Sequence, residues 1–231
     1  MKKIWISAVA GVALMGTGLA TAAPITLEWD GFTHAEAGDA GYVNGGISGA
    51  GGVSAGAFRF NVVSGGDHWT VNDIIDAFCV DINKTLNTSG LISYELKTAE
   101  SYFSDFYTST DLEDIDRLYG NEAAGVVDGQ SSASFQLALW EIINEDDNNE
   151  YDLEADSFSA SGFGQALTDG TIWLGGLDGT ATAGYEFYVL DSEDSQDLLI
   201  VNPTPTVVPE PGTLALVGLG LVGLALRRKQ A

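Results

Sequence analysis

In 231 residues the chain carries 33 acidic against 9 basic residues, a formal net charge of −24, and one cysteine. So acidic a chain is a poor partner for nucleic acid or anionic membrane surfaces, which repel it. A composition 45 % hydrophobic and 10 % aromatic argues against a disordered tail and for a real core.

The first 22 residues read as a secretory signal. Lys2 and Lys3 form a basic start, Ile4 to Leu19 is uncharged, and Ala20-Thr21-Ala22 offers small residues for a cut after Ala22. Residues 23–208 then keep four basic residues, Arg59, Lys84, Lys97 and Arg117, and 32 acids, a net charge of −28. Their length suits one domain, or at most two small ones.

Ile25, Leu27 and Trp29 alternate with polar neighbours, the pattern of a half-buried strand. The glycine-rich piece 38–56 predicts a long loop with little structure of its own. AFRFNVV (57–63), AFCVDI (77–82) and LISYELK (91–97) predict three more strands. In AFCVDI the alternation puts Phe78, Val80 and Ile82 on a core face, and Cys79 and Asp81 on the other.

The period then changes. Residues 98–120 predict helices polar on one side, with Asp111 as a cap for the second. In 131–145, Phe135, Ala138, Leu139, Ile142 and Ile143 mark one face of an amphipathic helix, with Ser131 or Ser132 as its N-cap. Gln136 and Trp140, one turn apart, share an offset face. The acidic run 144–156 resembles a calcium loop only loosely, because the glycine and terminal glutamate of an EF-hand are missing at their offsets. A solvated acidic loop is expected; no cofactor is predicted, and calcium is the one weak candidate. TIWLGGL (171–177), YEFYVLD (185–191) and DLLIV (197–201) predict strands again. The whole reads as mainly β, an antiparallel sandwich or barrel with a helical insertion, in the α+β class.

Cys79 has several readings. A lone thiol is commonly a small apolar filler. A nucleophile needs a base beside it, and His68, 11 residues upstream, is one histidine near one cysteine. One Cys and two scattered His, His34 and His68, lack zinc-ligand spacing, so no metal site is predicted. Lys84 and Lys97 are candidates for intramolecular isopeptide bonds, though no feature selects them.

Phe78-Cys79-Val80 followed by Gln136-Leu137-Ala138-Leu139-Trp140 resembles the Cys-Gln thioester domain of bacterial surface adhesins. The resemblance covers about residues 75–145. Many members carry Thr where this chain has Phe135. It implies a mainly β fold with helices between the motifs, and Cys79 and Gln136 as a cross-linked pair. Phe78, Asp81 and Trp140 would support that pair, with Trp140 as an aromatic packed near it. The product would acylate an amine or hydroxyl of another molecule.

The C-terminus carries Pro209-Glu210-Pro211, an uncharged run from Gly212 to Leu226, and Arg227, Arg228 and Lys229. Those 15 uncharged residues would span ~22 Å as a helix, against a ~30 Å hydrocarbon core. Order and content resemble a PEP-CTERM sorting signal. That implies processing by an exosortase in a Gram-negative bacterium that makes exopolysaccharide, and a transient inner-membrane anchor through the tail alone.

The expected organisation is therefore a signal peptide at 1–22, a thioester-type extracellular domain at 23–206 and the sorting signal at 207–231. The expected function is that of a surface or matrix protein, not an enzyme, fixing itself to a nucleophilic cell-surface or matrix target in an exopolysaccharide biofilm. The other reading is a non-covalent structural or carbohydrate-binding module with an inert cysteine. A secreted hydrolase lacks a convincing set of catalytic residues.

Overall fold

The computed structural model describes residues 23–34, 39–44, 51–65, 68–104, 109–145, 151–155, 157–178 and 182–201. Six strands close into an antiparallel barrel: β1 (Ile25–Phe32), β4 (Phe58–Ser64), β5 (Ile74–Cys79), β9 (Leu198–Val201), β8 (Phe187–Asp191) and β6 (Leu91–Thr98), in that order. A separate three-stranded sheet runs β3 (Gly51–Ser54), β2 (Ala40–Asn44) and β7 (Ser159–Ser161). Helices α1 (Ala99–Phe103), α2 (Ser109–Glu122), α3 (Gly129–Asn144) and α4 (Gln165–Gly175) fall between β6 and β8. This is the expected α+β architecture, in its barrel form. Alternation puts Leu27, Phe60, Val62, Ile92 and Tyr94 in the interior, each at most 2 % exposed.

The glycine-rich piece 38–56 is not simply a loop: it holds β2 and β3, paired in register from Ala40↔Ser54 to Val43↔Gly51. Glycine serves close packing there. A Cβ on Gly41 would stand 2.4 Å from the Ser161 carbonyl oxygen and 2.6 Å from the Phe163 ring. Composition alone suggested flexibility, because the close approach of β7 is non-local.

TIWLGGL is not a strand either. Its first five residues are the end of α4, which begins at Gln165 and buries Ala166, Gly170 and Leu174 at helical spacing, and Gly176 and Leu177 lie beyond it. Gly170 brings α4 close to α3, since a Cβ there would sit 3.1 Å from the Ser134 carbonyl oxygen. The apolar trio Ile172-Trp173-Leu174 looks like a strand only when the upstream turn is left out, and Ile172 is exposed.

Helix α3 differs from the amphipathic expectation. Every residue from Ser132 to Ile143 is buried, because β5, α2 and α4 pack around it. A helix covered on all sides must bury its polar positions too, and those then need partners. Its N-cap is Asp128, not Ser131 or Ser132. Asp128 Oδ1 accepts from Ser131 N at 2.8 Å, and Ser131 Oγ accepts from Asp128 N at 3.1 Å, a reciprocal capping box. Helix α2 opens at Ser109, so Asp111 lies inside it rather than capping it; the Asp111 side chain is outside the described residues.

Candidate functional site

The strands β4 and β5 pair from Asn61↔Ile74 to Phe58↔Ala77 and then part. On its other edge β5 continues to pair with β9 as far as Cys79↔Leu198. The parting exposes main-chain groups on one edge of each strand, and α3 fills the gap. Ala57 N donates to Ser132 Oγ at 2.7 Å. One turn on, Gln136 Oε1 accepts from Cys79 N at 2.8 Å, and Gln136 Nε2 donates to Cys79 O at 2.8 Å. The Gln136 carboxamide thus takes the role of a strand partner. Trp140 follows one further turn along the same face.

Cys79 closes β5 with 0 % exposure, and Gln136 is equally buried. The expected division into a core face and an open face fails here. Phe78 points at the helices, with its ring 4.6 Å from Phe135 and 6.3 Å from Tyr119. Cys79 shares its face with the buried Ile75 and Ala77. Both faces are covered, one by helices and the other by the barrel. Val80 is also buried but lies beyond the strand, and Ile82 is only partly buried.

The thiol donates to the Asp81 carbonyl oxygen at 3.3 Å. Burial pushes its pKa up to about 12; hydrogen bonding from Trp140 and the Asp81 main chain works against that rise, and the Asp81 and Asp197 charges add to it. Trp140 Nε1 is buried and makes no hydrogen bond of full geometry. Its N–H is close enough to favour a thiolate without being engaged by the neutral thiol.

The carboxylates flanking the thiol are occupied elsewhere. Asp76 receives Arg59 Nε and Nη2, each at 2.8 Å, and Thr33 Oγ1 at 3.0 Å. Asp81 Oδ1 accepts from Asn83 N at 2.9 Å within its own turn. Gln136 lies about two turns into α3, too far along for the helix dipole to act on it, since that field fades within the first turn. His68 is exposed and leans on Trp69, and no imidazole is among the groups that touch the thiol.

Among the described residues no group of three or more His, Cys, Asp or Glu side chains is placed to hold a metal ion. Residues 146–150 and Asp156 of the acidic run lie outside them. So do the signal segment 1–22 and the sorting residues Pro209, Glu210, Pro211, Arg227 and Arg228. No helix among the described residues is long and apolar enough to cross a membrane.

The structure thus gathers Cys79, Gln136, Phe78, Trp140 and the Asp81 main chain in one place. Ser132 was missed by sequence reasoning, although Ser132-Gln136-Trp140 has the i, i+4, i+8 spacing of one helix face. The ion pair of Lys84 Nζ with Asp197, 2.9 Å from Oδ2, was not legible either, because it joins segments 113 residues apart.

Residues 207–229 match the family model of the PEP-CTERM protein-sorting motif. The motif implies an exported protein, processed by exosortase and anchored transiently at the membrane. No curated protein matches the chain. Among solved structures, an N-terminal thioester domain of a surface protein from Clostridium perfringens is similar at 13 % identity and a TM-score of 0.42. That match covers 63 % of this chain and 89 % of the other.

Proposed function

We propose that this exported protein forms an internal thioester between Cys79 and Gln136 and uses it to attach covalently to a nucleophile on a cell-surface or matrix target. The observation that carries this reading is the paired hydrogen bond between the Gln136 carboxamide and the Cys79 main chain, 2.8 Å in each direction. It holds the amide of one residue against the residue that bears the thiol.

Each step balances. The Cys79 sulfur attacks the Gln136 carboxamide carbon, and the Cys79 N–H steadies the negative charge that grows on Oε1, as an oxyanion donor does. The C–Nε2 bond breaks, and the thiol proton leaves with nitrogen as ammonia. Trp140 Nε1–H supports the sulfur while it is anionic. A target amine or hydroxyl then attacks the same carbon, and the sulfur departs as the thiol. The chain is consumed in one turnover, so it acts as a covalent binder rather than an enzyme.

The net charge of −28 over residues 23–208 favours amine-bearing targets over anionic ones. Targets in an exopolysaccharide matrix or on a neighbouring Gram-negative cell surface fit the sorting signal. A second reading has one specific observation in its favour. Gln136 satisfies two main-chain groups, so it can be purely structural in a non-covalent matrix or carbohydrate-binding module.

Intact mass of the protein purified after export separates the two. The thioester predicts a mass one ammonia below the sequence and methylamine gained at residue 136. A full sequence mass, with Cys79 alkylated once the protein is unfolded, would select the structural module.

A further inference from the structure

Two loops close the end of the barrel that holds Cys79. Residues 80–90 join β5 to β6, and residues 192–197 join β8 to β9. The first loop supplies the Asp81 carbonyl that receives the thiol. It turns at once to the surface, where Asn83 is exposed. A turn that reaches the surface at Asn83 therefore begins two residues from a wholly buried sulfur and caps it with its own main chain.

Lys84 ties that turn to the second loop. Its Nζ donates to Asp197 Oδ1 at 3.1 Å, to Asp197 Oδ2 at 2.9 Å and to the Ser192 carbonyl oxygen at 3.0 Å. It also lies 3.5 Å from Asp81 Oδ2, on the turn itself. Asp197 is a fixed anchor, with its side chain 4 % exposed. It accepts from Tyr102 Oη at 2.7 Å and Ser192 N at 2.9 Å, and its carbonyl receives Val80 N at 3.0 Å. The Lys84 side chain is 38 % exposed, so one end of the tie is buried and the other is open to solvent. The Val80–Asp197 main-chain bond and Asn87 N, bonded to Ser195 Oγ at 3.1 Å, also join the two loops.

We propose that Lys84, by clasping Asp197, latches the Asp81–Lys84 turn over the Cys79 thiol and sets the rate at which water or a target amine reaches the Cys79–Gln136 pair. This role rests on the thioester reading. Lys84 touches neither reacting atom and is a positioning residue. A thioester exposed to water is lost by hydrolysis, which leaves glutamate at position 136. A latch that opens rarely preserves the bond until a partner pulls the loops apart.

The test uses the full protein purified after export, with Lys84→Met and Lys84→Arg beside the wild type. Methylamine uptake is followed by intact mass. Both variants lose ammonia as the wild type does. Lys84→Met takes up methylamine about tenfold faster, equivalent to ~1.4 kcal/mol, while Lys84→Arg stays within about twofold. The acceleration appears at urea concentrations well below the unfolding transition and depends weakly on urea. That marks a local opening, whereas a merely structural ion pair would act only through global unfolding. Equal rates in Lys84→Met and wild type overturn the latch.

Should Lys84→Met not fold, the wild type is read in rising sodium chloride up to about 1 M. Screening of the partly exposed ammonium then speeds uptake, and a salt-independent rate overturns the proposal. A wild-type mass with no ammonia lost defeats the thioester reading instead. The latch is then measured on the free thiol with iodoacetamide, with the same order of rates expected and equal rates counting against it.

Discussion

Gln136 pairs with Cys79 as a neighbouring strand would, with its carboxamide giving and taking one main-chain hydrogen bond at 2.8 Å each. The arrangement exists because β4 and β5 part after Phe58↔Ala77, leaving the Cys79 edge open to α3. On the proposed thioester reading, the same two bonds serve stability and reactivity. They satisfy a buried N–H and C=O, and they hold the carboxamide beside the thiol-bearing residue. Departure of Nε2 as ammonia would take the donor from the Cys79 carbonyl, so the acylated state gives up part of that stabilisation.

Removing these side chains has a graded cost. Gln136→Ala leaves two buried main-chain groups unpaired and is expected to cost ~2–4 kcal/mol, while Ser132→Ala strands one, the Ala57 N–H, at ~1–2 kcal/mol. Both variants stay folded. Urea unfolding checks the order, and a Gln136→Ala variant as stable as wild type would show that the carboxamide pairing is not what holds α3 to β5.

Trp140→Phe deletes the indole N–H but keeps most of the ring that packs 6.4 Å from Phe158. Stability should fall by ~1–3 kcal/mol, from the volume lost in a packed core rather than from the N–H, which has no formed partner to give up. Ammonia loss after refolding, followed by mass against time, should slow about 10²-fold, as for other single donors to developing charge. An unchanged rate would reduce Trp140 to packing.

The free thiol makes stability depend on pH. Folding holds the Cys79 pKa at about 12 through burial, above its unfolded value of ~8.5. The folded state therefore keeps its proton longer than the unfolded state. The contribution is fully present below pH ~8.5 and is lost as pH rises toward the folded value, the loss reaching about 2 kcal/mol at pH ~10. Gln136→Ala keeps the thiol free. Its urea stability should fall more between pH ~7 and ~10 than that of the Cys79→Ala/Gln136→Ala double variant. Burial also raises Tyr94, Tyr102 and Tyr119, but those groups are common to both proteins and cancel. Parallel pH curves would mean that the thiol is not sealed from water.

The two ends should be processed independently. N-terminal sequencing of exported protein is expected to begin at Ala23. Pro209→Ala with Pro211→Ala should alter processing or surface retention in a host that has the exosortase, because a rigid Pro-Glu-Pro is what the protease would read. Normal sorting of that variant would leave the tail as an ordinary anchor.

Much of the fold could be read locally. The strands at 25–32, 58–64 and 91–98 show themselves by alternation, because each has a buried and a more polar face. Helix α3 shows itself by its period, yet its full burial does not follow from that period. Residues 171–177 were misread because an apolar run too short to reveal its period suits strand and helix alike. Residues 38–56 were misread because glycine signals freedom in isolation and close approach in a packed sheet.

Export and sorting are properties of linear segments, recognised in an extended or membrane-inserted chain, so residue order at the termini carries them without a fold. The pairing of a lone cysteine with a later glutamine was also visible as two short motifs. That Gln136 meets the main chain of Cys79, that the Trp140 N–H lies beside the sulfur, and that Lys84 joins the Asp81 turn to Asp197 were decided only in three dimensions. Those contacts cross separations of up to 113 residues, and they depend on where two strands part, how a barrel closes and which helix fills the gap. Each of these is set by the packing of the whole chain rather than by the preferences of its neighbouring residues.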